Sequence, residues 1–117
     1  MAEFPRFMKV SRNRIAPASQ FTDDVEGYVF DGADGSQVAF WTSCADRTSA
    51  EHVHDFDEYV LVVEGQATVI SDGTETVLTA GQELLVPKGT RQRMAITAGT
   101  RTIHVFGGKR ARREGEP

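Results

Sequence analysis

The residues best suited to do chemistry lie in "HVHDFDEYVLVVEG", His52 to Gly65. His52 and His54 are one residue apart. On an extended strand, side chains at i and i+2 leave the same face, so the two imidazoles project together while Val53 points away. "DFD" at 55–57 has the composition of a tight bend. Such a bend delivers Glu58, at the start of the next apolar run, beside the imidazoles. Two imidazoles and one carboxylate make a facial triad on a first-row divalent metal, with coordination positions left open. The plainer reading is that histidines are ordinary surface or core residues and that HxH pairs arise by chance.

The elements that must position these groups read as strands. From residue 25 onward the apolar residues fall in short runs, "GYVF", "QVAFW", "EYVLVV", "ATVI", "TVLT", "ELLV", "RMAI" and "TIHVF". Each has strand length and favours β-branched or aromatic residues. The runs are separated by turn dipeptides such as Asp31-Gly32, Glu64-Gly65, Asp72-Gly73 and Lys88-Gly89, where glycine supplies positive φ at little cost. Helical i, i+3, i+4 spacing is missing except for a weak stretch before Pro17. The pattern predicts an all-β sandwich or barrel. It divides the chain into an N-terminal arm (1–24), a barrel domain (25–108) and a disordered basic tail (109–117), the last because it holds no apolar residue beyond Ala111.

Composition narrows the setting. A chain of 117 residues with 39% hydrophobic residues and seven phenylalanines builds one core. Its net charge is -4, and the last nine residues hold four basic and two acidic side chains, so the remaining residues carry -6. An acidic body argues against a nucleic-acid surface, and no fused DNA-binding segment is expected. Cys44 is the one cysteine, which rules out an internal disulfide and fits a reducing cytoplasm. "MAEFPRFMKV" lacks the apolar stretch of a signal peptide, and no run is long enough to span a bilayer.

With these residues in view, the sequence resembles the cupin superfamily, whose first motif is G(x)5HxH(x)3–4E(x)6G. His52, His54, Glu58 and Gly65 match it, while Asp46 stands at the opening glycine. The second motif, G(x)5PxG(x)2H(x)3N, is matched by Gly81, Pro87 and Gly89, with Gln92 at the histidine and Ile96 at the asparagine. Fifteen residues, 66–80, separate the two motifs, the short spacing of small microbial cupins. The resemblance covers about residues 36–106 and implies a double-stranded β-helix, the jelly-roll or cupin barrel, with a ligand site in its mouth. It implies that His52, His54 and Glu58 are metal ligands and that Gln92 takes the fourth position. The cofactor would be a divalent ion such as Fe, Mn, Ni or Zn. As a neutral amide, Gln92 is a weaker donor than imidazole.

Alternation extends the pocket. With Gln92 inward, Met94 and Ile96 are inward and Arg91 and Arg93 outward, and Val60 and Val62 share the interior with Glu58. Phe40 and Trp41 alternate, so one joins the wall and the other a surface or subunit contact; Phe40 is assigned to the wall. His104 is expected to face out, because Ile103 and Val105 make the better apolar face. Cys44 reads as a small buried hydrophobe rather than a nucleophile, Glu51 and Tyr59 as outward residues, and Arg110, Arg112 and Arg113 as a solvated charge run that could engage an acidic partner or phosphate.

Two functions follow from the resemblance. One is a metal-dependent enzyme, such as a dioxygenase, lyase or isomerase, acting on a small anionic or oxygen-rich substrate. The other is a non-catalytic cupin that binds a sugar or small acid, with structural or no metal. A homodimer is expected from the habit of small cupins and from the aromatic "QVAFWT" strand.

Overall fold

The structure, a computed structural model, describes residues 3–17 and 25–116. Nine strands follow two short 3-10 turns at Arg6–Met8 and Ser11–Asn13: β1 Val25–Asp31, β2 Gln37–Ser43, β3 Arg47–Thr48, β4 Glu58–Glu64, β5 Gln66–Ser71, β6 Thr74–Thr79, β7 Glu83–Val86, β8 Arg93–Ile96 and β9 Arg101–Phe106. Eight coincide with the apolar runs. The two-residue β3 has no such run and forms only through pairing with β8.

The strands make two antiparallel sheets, β1-β2-β9-β4-β7 and β3-β8-β5-β6, facing each other as a jelly roll. The β5–β6 hairpin turns on Asp72 and Gly73, both at positive φ, the two-residue turn whose twist suits an antiparallel pair. Gly65, between β4 and β5, also has positive φ, and a Cβ there would collide with Thr100.

Between the sheets, Val60, Val62, Ala67, Val69, Leu78, Val86 and Met94 form the core at one end. Ile15, Val29, Ala39, Trp41, Phe106 and Ala111 continue it at the other. A third cluster lies outside the five-stranded sheet, where Phe4 of the arm covers Tyr28 and Phe40.

Composition read residues 109–117 as a disordered tail, of which residue 117 lies outside the described residues. Residues 109–116 lie against the barrel; Ala111 is fully buried, and Ala16 donates its N–H to the Arg112 carbonyl at 2.8 Å. Arg113 donates to Asp31, to the Val29 carbonyl and to Asn13 at 2.8 to 3.1 Å. Apolar content therefore misjudged the tail, which docks through hydrogen bonds and one buried methyl group. The arm does likewise: Ile15 donates to the Gly27 carbonyl and bridges to Arg113. Arm and tail together cover the β1 edge, removing an exposed template for aggregation.

On the outer face of the larger sheet, one row remains uncovered by the arm. Phe30 pairs with Val38, Val38 with Val105, Val105 with Tyr59, and Tyr59 with Leu85. This apolar row crosses all five strands, and Leu85 is 59% exposed. Among the described residues no helix is long and apolar enough to cross a membrane.

Candidate metal centre and pocket

His52 sits on an extended segment that pairs with Gln92, each backbone N–H donating to the other's carbonyl at 2.8 and 2.9 Å. His54 is fixed by its own carbonyl, which accepts from Gly89, and by Phe56, whose ring stacks on the imidazole at 4.9 Å. The two imidazole centroids are 4.8 Å apart, as the i, i+2 spacing predicted. The bend follows at residues 55–56. Asp57 holds it, its carboxylate accepting from the Lys88 N–H and its carbonyl from the Gly107 N–H, both at 2.9 Å. Glu58 then opens β4 facing inward, so the bend does deliver the carboxylate to the imidazoles.

Three side chains converge on Glu58. His104 Nδ1 lies 2.8 Å from one carboxylate oxygen, and Gln92 donates its Nε2–H to the other at 3.0 Å. His54 Nε2 is 3.4 Å from that second oxygen. Burial alone would push the Glu58 carboxyl up, but the hydrogen bond from His104 and the nearby His54 imidazole outweigh it and hold the group well below the usual carboxylate range. Glu58 is therefore an anion at any ordinary pH.

His104 corrects the outward assignment. It is 6% exposed, and its Nε2 meets the Thr102 hydroxyl at 3.0 Å. Alternation in "RTIHVF" was ambiguous because the outer face of β9 is partly covered: Ile103 packs with the third cluster under the arm and Val105 is exposed, while Thr102, His104 and Phe106 face inward. The missed signal was the polar alternation itself, Thr102 and His104 opposite Val62 and Val60 of β4.

The cavity above this cluster has a volume of about 80 Å³. His52, His54, Glu58, Gln92, Met94 and Ile96 line it. Phe40 does not. It faces outward, 4.9 Å from Phe4 and 5.6 Å from Tyr28, and Trp41 takes the wall position, edge-on to His104 at 4.8 Å. Gly27 opposite makes room, since a Cβ there would strike the Trp41 ring. Val60 and Val62 point inward and are fully buried, but they pack in the core away from the cavity surface. Cys44 is exposed rather than buried, and Glu51 is exposed beside Arg91. Arg110, from the tail, lines the cavity.

The donors suit a divalent cation. The ligating atoms of His52, His54 and Glu58 all lie within 4.8 Å of one another. The 3.4 Å from His54 Nε2 to Glu58 is long for a good N–H···O hydrogen bond, yet it is the separation of two donors at a tetrahedral angle about one ion at roughly 2.1 Å. His52 Nδ1 is 2.9 Å from the Ala50 carbonyl, which keeps the proton on Nδ1 and leaves Nε2 with a lone pair. Burial lowers the His52 pKa against the opposing effect of that bond, which favours the neutral, ligating form. His104 fixes the orientation of Glu58 from behind. Gln92 turns its amide nitrogen toward Glu58, an orientation in which it supports a ligand and is not one.

The comparisons with known proteins agree with this architecture. No curated protein matches the chain. Among solved structures it is similar to an RmlC-like cupin from Shewanella frigidimarina, with 22% identity, a TM-score of 0.69 and coverage of 78% of this chain and 82% of that one. It is similar to KdgF from Halomonas sp., with 15% identity, a TM-score of 0.69 and coverage of 82% and 93%. A cupin superfamily protein from Desulfitobacterium hafniense gives 16% identity, a TM-score of 0.68 and coverage of 74% and 80%. At such identities these likenesses establish the fold alone. The family model described as "Cupin domain" matches residues 44–106, which span the His52–His54–Glu58 cluster and the strands that hold it, and on that match the chain belongs to the cupin family.

Proposed function

We propose that the chain is a metal-dependent cupin that acts on a small anionic or oxygen-rich organic substrate, in the manner of a dioxygenase, lyase or isomerase. The supporting observation is the convergence of His52, His54 and the ionised Glu58 in a small cavity, their ligating atoms within 4.8 Å of one another. Those three residues hold the cation, and Gln92, a neutral amide that donates to Glu58, holds that ligand in place. When bound, a redox-active ion such as Fe supplies oxygen chemistry, whereas Zn, Mn or Ni acts as a Lewis acid on a substrate oxygen. The protein's part is to keep Glu58 ionised through His104 and to exclude water with Trp41, Met94, Ile96 and Phe106. Elemental analysis of protein purified without added metal tests this reading, with a stoichiometric divalent ion expected.

A second reading has its own observation. Glu58 is already engaged by His104, Gln92 and His54, a network that stands without an ion. In that case the cavity binds a sugar or small acid, and metal is structural or missing. Absence of metal after reconstitution with Fe, Mn, Ni and Zn would select this alternative.

The apolar row from Phe30 to Leu85 supports a homodimer, in which two copies bury that face against each other.

A further inference from the structure

We propose that Arg110 is the specificity residue of this pocket and selects small organic carboxylates, an assignment that deepens the proposed function and rests on the cavity being its site. Arg110 is half-buried in the cavity wall and, histidines aside, is the one cationic side chain lining it among the described residues. The segment that carries it lies beyond residues 44–106, which match the cupin family model.

Its position is built from both sides. The Gln37 side-chain oxygen accepts the backbone N–H of Arg110 and of Ala111, both at 2.8 Å. The Gln37 amide nitrogen donates to the Ala111 carbonyl at 3.0 Å and to Asp31 at 2.9 Å. With Gln37 itself 1% exposed, one buried amide thus fixes the peptide units flanking Arg110. The guanidinium lies over Trp41 at 5.5 Å and Phe106 at 5.9 Å. Planar aromatic support of this kind suits the N–H fork that pairs bidentately with a carboxylate.

Size and polarity choose the ligand class. A cavity of about 80 Å³ holds the equivalent of roughly six waters on a scale of about 10–15 Å³ each. The part of a ligand that enters is therefore a few carbons and oxygens. Beyond the His52–His54–Glu58 cluster with Gln92, the walls are largely apolar: Val25, Trp41, Met94, Ile96 and Phe106. A short carbon skeleton fits against them, with its carboxylate on Arg110. A phosphate would bring more oxygens than one fork satisfies between such walls.

Trp41 is the chain's single tryptophan and lines the same cavity, so its fluorescence reports occupancy without any assay of turnover. The experiment titrates the full-length protein with pyruvate, acetate and glyoxylate, with the neutral isostere pyruvamide, and with inorganic phosphate. The wild type is expected to prefer pyruvate over pyruvamide by about tenfold or more, as a charged hydrogen bond allows. Arg110→Gln should abolish that preference and Arg110→Lys should restore part of it. Both variants keep the Gln37 anchor, which uses only backbone groups, so their melting curves check folding. Calorimetry repeats the comparison if Trp41 emission itself changes. Equal affinity for acid and amide in the wild type, unchanged pyruvate binding in Arg110→Gln, tighter binding of phosphate than of carboxylates, or no response to any of the acids would each overturn the proposal. Metal content separates it from the reading on which it rests: loss of the metal reading leaves the acid preference measurable, and loss of the acid preference leaves metal content unchanged.

Discussion

A buried carboxylate with three partners gives single substitutions unequal effects. His52→Ala and Glu58→Ala should each abolish stoichiometric metal, because either loss leaves an incomplete set of strong donors. Gln92→Ala should weaken binding only in part, and Gln92→His should tighten it, since imidazole is the better donor for the later first-row metals. Mass spectrometry of the metal content in the four variants reads the order directly. Equal metal in wild type and His52→Ala would sink the assignment. His104 acts through Glu58: His104→Phe leaves a buried carboxylate short of a partner at a cost of about 1–3 kcal/mol. It should also weaken metal affinity by about 10- to 100-fold, the usual effect of losing an outer partner. Chemical denaturation and metal titration of one variant measure both, and an unchanged metal affinity would make His104 a purely structural residue.

At the scale of elements, the tail converts from an appendage into part of the fold. Truncation after Gly108 strips Gln37 of its partners at 110 and 111 and removes the Arg113 contacts to β1. Leaving such a buried amide unpaired costs about 1–3 kcal/mol, so the melting temperature should drop by several degrees or more, on the order of 4 °C per kcal/mol for a domain of this size. No change in calorimetry would contradict the docking. The tail also has a pH dependence. Hydrogen bonds from Lys109 and the Arg113 backbone hold the Glu116 pKa down at about 2, against an ordinary value of 4.5. A carboxyl lowered on folding contributes above its unfolded pKa and loses that contribution as pH falls through the folded one. Tail contacts should therefore loosen from about pH 4.5 downward toward 2, visible as amide chemical-shift changes at residues 113–116. Asp31 is held down in the same direction by Gln37 and Arg113, so the two ends of the tail weaken together.

At the scale of the molecule, the outer face of the five-stranded sheet carries an apolar row, Phe30, Val38, Val105, Tyr59 and Leu85. If two copies bury it, light scattering should give about twice the 12.9 kDa chain mass, and Leu85→Lys should return the protein to a monomer without disturbing the metal content. A wild-type monomer at micromolar concentration would remove the dimer. The row lies on the far side of the five-stranded sheet from the cavity, so this result and the metal result can be obtained independently.

What the amino-acid order determined by itself was local. Strand length, turn dipeptides and the i, i+2 spacing of His52 and His54 depend on neighbours within a few residues, and each is visible in the order of residue types. The bend at "DFD" and the alternation of Gln92, Met94 and Ile96 are of the same kind. Tertiary structure decided whatever depended on which face was covered. Trp41 rather than Phe40 faces the cavity because Phe4, far away in sequence, occupies the other side of β2. His104 turns inward with Thr102 and Phe106, while the same arm covers Ile103 on the opposite face of β9. The tail docks because Gln37 offers a buried amide more than seventy residues away, and hydrogen bonding across that separation leaves no trace in local composition. Arg110 reaches the pocket for the same reason: its position is set by partners that only the closed barrel brings beside it.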